Sequence, residues 1–147
     1  MRPVVISPFK KYVRYNKLNF KRVVNLMSEL SEENLRHFSG SDTFTQWSPL
    51  FRKSLLTEGA LFVAEQAGAY WLFDLIESHL IINSGEHHVV ASLSVSGSSG
   101  LVELTDGDGV CLASQELGFT DFPSPGVTIW SVVNEHGGRT HMLPGEY

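Results

Sequence analysis

At 147 residues, with 42% hydrophobic and 11% aromatic content, the chain has the length and apolar share of one folded domain, which excludes a disordered or fibrous protein. It contains no run of about 18 apolar residues, so a helical membrane span is excluded, and its single cysteine, Cys111, excludes an intrachain disulfide and points to a reducing, cytoplasmic setting. The net charge of −5 hides a division: residues 1–28 hold seven of the 11 Lys and Arg and no acid, leaving 11 − 7 = 4 bases against 16 acids, or −12, in residues 29–147.

In chain order, Phe9, Tyr12, Val13, Phe20, Val23, Val24 and Met27 recur at helical steps, with Lys10, Lys11, Arg14, Lys17, Lys21 and Arg22 between them. An extended conformation stays open here, because β-branched and aromatic residues weaken the helix. The charge reverses beside Met27, which divides the chain into a basic leader or arm over 1–26 and one α+β domain over 27–147. A start codon placed too early, or a disordered arm, ranks first for the leader. Binding of single-stranded nucleic acid through residues 2–22 ranks second, since bases interleaved with Tyr and Phe suit it. An anionic membrane surface or targeting ranks third.

Ser31 caps a short helix over 31–38, with Glu32 and Glu33 in its first turn, Leu30 stapling onto Leu35 and Gly40 as the stop. Residues 39–54 read as a loop anchored by Trp47 and Phe51. Thr57 then caps one long helix, Thr57–Leu80. Leu61, Ala64, Gly68, Trp71, Leu72 and Leu75 crowd one side, and Gln66, Tyr70, Asp74, Glu77 and Ser78 lie opposite. Gly68 within that helix implies close packing. From His87 the period changes to two: Ala91, Leu93 and Val95 alternate with Ser92, Ser94 and Ser96. Further strands follow over 101–105, 110–115, 127–133 and 139–143, with 106–109 as a hairpin loop. The expected fold is α+β: a two-layer arrangement in which an antiparallel sheet of four to five strands packs on the one long helix, with the short helix at its end.

Chemistry is sparse. His87, His88, His136 and His141 fall on the sheet without zinc-ligand spacing and read as surface histidines at strand ends, so no metal is expected. Asp106-Gly107-Asp108-Gly109 fails as a calcium loop because position 110 is Val. Cys111 sits in an apolar strand, no Gly-x-Ser-x-Gly elbow occurs, and Gly97–Gly100 joins strands rather than cradling phosphate. Glu65, at the edge of the apolar arc, with Tyr70 and Asp74 forms one candidate helix surface, and most of it is expected to be structural.

The run Ala67-Gly68-Ala69-Tyr70-Trp71-Leu72, together with Phe38 and Gly40, Trp47, Thr120-Asp121-Phe122-Pro123 and the closing Leu143-Pro144-Gly145-Glu146-Tyr147, resembles a small family of unknown function from bacterial, plasmid and phage genomes. The resemblance covers 27–147 and implies a fold but no activity, cofactor or catalytic residue. The leading functional expectation is therefore a non-enzymatic acidic module that works by protein–protein contact, an anti-defence or accessory protein of a mobile element being one form of it. The alternatives are a small enzyme or ligand binder with a pocket around Glu65, and the nucleic-acid binder. Both monomer and homodimer are open, the latter through an exposed strand edge.

Overall fold

The computed structural model describes residues 30–82 and 85–147, so the basic leader, its nucleic-acid candidates and the helix expected over 9–27 lie outside the described residues. Helix α1 (Glu32–Leu35) is capped by Ser31, whose hydroxyl accepts from the Asn34 N–H at 3.3 Å. It is shorter than the 31–38 expectation, and only turns carry the chain on to Phe38. The loop that follows leads into strand β1 (Leu55–Leu56) and then into helices α2 (Glu58–Ala67) and α3 (Tyr70–Leu80).

The single long helix is thus a misreading of Gly68. That residue has φ 61° and ψ 36°, and its N–H and that of Ala69 bond the carbonyls of Glu65 at 3.4 Å and Ala64 at 2.8 Å. This is a Schellman termination, in which a glycine adopts the left-handed conformation that closes the last turn. Gly68→Ala is expected to destabilise the protein by about 1 kcal/mol, because a β-carbon is strained at positive φ. In a helix interior the same change would stabilise by about 1 kcal/mol. Urea unfolding reads the sign directly.

Five strands follow β1: β2 (His88–Ser96), β3 (Ser99–Asp106), β4 (Cys111–Leu117), β5 (Gly126–Val133) and β6 (Arg139–Met142). The order is β1-β6-β5-β2-β3-β4, antiparallel throughout except for β1 beside β6. The architecture is α+β, but the sheet has six strands rather than four to five, and it is mixed. A two-residue β1 is too short to leave a period in the sequence. The Asp106 carboxylate accepts from the N–H groups of Asp108 (2.8 Å) and Val110 (2.9 Å), so the acid of this hairpin loop closes its own turn.

Alternation decides the two faces. Val89, Ala91, Leu93 and Val95 of β2, Val102 and Leu104 of β3 and Ile129 of β5 are buried on one side with α2 and α3. The buried stripe of α2 is Gly59, Ala60, Val63, Ala64 and Ala67, small residues that bring the helix close to the sheet. Gly59 has no room for more: a β-carbon there would lie 2.7 Å from the Glu146 carboxylate. Ser92, Ser94 and Ser96 face the other way, where no helix from 58–80 covers them.

Candidate binding groove

Two polar assemblies lie in or beside the helix layer. In the first, His141 of β6 is 0% exposed, and its Nε2 meets the Glu77 carboxylate of α3 at 2.9 Å. Trp47 and Phe73 pack on the imidazole with ring centroids at 5.4 and 5.6 Å. Arg139, also buried, donates to the carbonyls of Ser131 and Glu86, and its own N–H bonds the Ser54 hydroxyl at 3.0 Å. Burial pushes the Glu77 carboxyl up. The hydrogen bond and charge of His141, the Ser54 hydroxyl and the charge of Arg139 outweigh it and hold the carboxyl below its ordinary value. Burial pulls the Arg139 guanidinium below its ordinary value, opposed by the charges of Glu77 and Glu86. A His–Glu pair has the components of a general base, but with no exposed imidazole it has no path to a substrate. It fastens β6 to α3. In the second assembly, Glu146 accepts from the Thr57 hydroxyl at 2.6 Å and from the N–H groups of Gly59 and Leu143 at 2.9 Å each, capping α2.

The open face of the sheet is different. Between α1 and that face runs a groove of about 640 Å³. Ser92 and Ser94 of β2 and Thr128 of β5 give its floor hydroxyl groups, Ser92 and Thr128 being paired neighbours. Leu30, Leu35, Phe38, Leu143 and Pro144 supply apolar walls. Among the described residues, Glu32 and Arg36 are the only charged ones of the lining and sit 3.7 Å apart, both strongly exposed, so this pair contributes little and is free to exchange partners. The same face continues along β2 and β5 to His88 and Trp130, by the two-residue period. There Tyr147 closes a three-ring cluster with centroid separations of 4.8 Å (His88–Trp130), 5.4 Å (Trp130–Tyr147) and 5.6 Å (His88–Tyr147). Tyr147 is 76% exposed, which leaves aromatic surface for a partner. On the other flank of the groove, Glu103 pairs with Ser92, and Glu116 with Leu101 beside Ser94; both acids are exposed.

The sequence candidates fall on two helices. Glu65 is exposed on α2, before the break at Gly68, while Tyr70 and Asp74 stay four residues apart on α3, so the one helix expected to carry all three is divided between Glu65 and the other two. Asp74 accepts from the Trp47 indole N–H at 3.0 Å and so anchors the loop before β1. Tyr70 is half-buried against the core. Glu77, expected opposite the apolar arc, is buried, because helical phase counted through Gly68 does not continue into α3. His141 is likewise in the core rather than at a strand end on the surface. Among the described residues, no three His, Cys, Asp or Glu side chains gather as a metal site, and no helix is long and apolar enough to cross a membrane.

No curated protein and no solved structure matches the chain. A model of a family of unknown function, DUF6876, matches residues 29–147, which include α1, both core helices, the whole sheet and every groove residue; the chain belongs to that family.

Proposed function

We propose that this protein is a non-enzymatic acidic module that receives a basic, extended segment of a partner protein on its open sheet face. The observation that carries this reading is the groove: hydroxyls on its floor can bond a peptide backbone, and its apolar walls can take alternate side chains. Charge supports the sign of the partner. Among the described residues, Glu32 in the lining and Glu103 and Glu116 on the flanking strands stand against Arg36 alone, on a stretch of chain that carries −12. The resemblance to plasmid and phage proteins would make that partner a host protein met in the cytoplasm. Glu65 is exposed and does not line the groove, which leaves the enzyme reading without support from geometry.

Calorimetric titration of the full chain with a short peptide alternating Lys and Val, and with its Glu–Val counterpart, tests this. The basic peptide is expected to bind and the acidic one not, with affinity falling as salt rises. Ser94→Lys, in the groove floor, should weaken binding at least about tenfold, or 1.4 kcal/mol. Glu135→Gln, an equal charge change of +1 on the exposed turn before β6, should weaken it little. Equal losses in the two variants would mean attraction to net charge alone and would sink the proposal.

A further inference from the structure

We infer that two copies of the chain join through β4, pairing antiparallel about Gln115 so that their two six-stranded sheets become one. The inference is independent of the groove, and the contrast between the two sheet edges carries it. At one edge β1 is two residues long, and Thr45 already answers it on the outside, exchanging two backbone hydrogen bonds of 2.8 Å with Leu56. At the other edge β4 presents seven residues, and among the described residues nothing pairs with its outer side.

Monomeric sheets blunt such edges with lysine, proline, short strands or bulges. β4 has no Lys, Arg or Pro, and its one charge is Glu116. The bulge opposite Leu104 and Thr105 bends only its first residues and leaves Ala113–Leu117 in regular register with β3. That regular stretch is self-complementary. A two-fold axis at Gln115 sets Ala113 against the second copy's Leu117 on the helix side, twice over. It sets Ser114 against the second copy's Glu116 on the open side, hydroxyl to carboxylate, so no like charges face each other. The two Gln115 amides meet on the axis. Within each copy the Gln115 oxygen already contacts the His79 imidazole at 2.9 Å, which fixes the amide with its NH₂ group available. An axis at Ser114 would instead set Leu112 against Glu116 and lose both apolar pairs. Self-matching of this kind is what an isologous contact requires, and a different protein would have no need of it.

Sedimentation equilibrium on the full chain should give twice 16.3 kDa at micromolar concentration. Gln115→Pro, which cannot complete an edge ladder, should return the mass to that of the single chain. A second variant guards against misfolding in the first. With Cys111→Ser, Gln115→Cys should form a disulfide between copies under mild oxidation, because residues directly opposed across an antiparallel pair have Cα atoms about 4.5–5.5 Å apart, within disulfide reach. Native Cys111 should not cross-link, since it would sit eight positions from its own copy, roughly 27 Å at about 3.4 Å per residue. A single-chain mass at every concentration, or cross-linking at Cys111 and not at Gln115→Cys, would overturn the inference.

Discussion

Glu77→Leu is expected to lower the unfolding free energy by about 3–5 kcal/mol, the usual cost of leaving a buried charge, here Arg139, and a buried hydrogen-bonding group without their partner. The carboxylate compensates two buried groups at once, His141 through their 2.9 Å contact and Arg139 through its charge. Without it, both remain in the core beside a leucine that can bond neither. His141→Phe should cost less, about 1–2 kcal/mol. The new ring keeps the contacts to Trp47 and Phe73, and Glu77 retains Ser54 and Arg139. Urea titration at neutral pH ranks the two variants, and a larger loss in His141→Phe would refute the account of Glu77 as the common partner of the two groups. The sign of the pH dependence follows from the same carboxyl. Its folded-state pKa lies below the ordinary value, so its stabilising contribution is complete above the unfolded value of about 4.3 and is lost as pH falls through the lower folded value. Wild-type stability should therefore fall more steeply than that of Glu77→Leu as pH drops below about 4.3.

Glu146→Ala is expected to cost roughly 3–4 kcal/mol. It strands the Gly59 and Leu143 N–H groups and the Thr57 hydroxyl in a buried setting, where each unmet donor costs about 1–3 kcal/mol before relaxation. It also removes a negative charge from the positive end of the α2 dipole. Glu146→Gln keeps one acceptor oxygen and should lose about half as much. A thermal melt showing Glu146→Ala within about 2 °C of wild type would show that the carboxylate is not a structural cap.

What could be read from the residues was whatever repeats locally. Ser92, Ser94 and Ser96 against Leu93 and Val95 show a strand with one wet face without any coordinates, and Asp106–Gly109 shows its hairpin. Gly68 was visible but ambiguous, because a glycine that packs tightly and one that turns left-handed leave the same letter; only φ separates them. β1 left no trace, since two residues have no period. Burial of Glu77 and His141 could not be read either, because they are 64 residues apart and each counts as polar until the other arrives. The groove has the same character. It draws on residues 30–39, 92–94, 125–128 and 143–145, four stretches that only the topology of β2, β5 and the closing turn brings together.

The cap on α2 also sets an order in time. The Gly59 N–H waits for a carboxylate 87 residues downstream, and at about 5–20 residues per second translation needs roughly 4–17 s to supply it. Until then β1 has no β6 beside it, and Leu56, Ala60 and Ala64 have only part of their cover. The nascent helices are therefore expected to be held as a loose, chaperone-accessible intermediate, and to lock only when the segment Arg139–Glu146 leaves the ribosome.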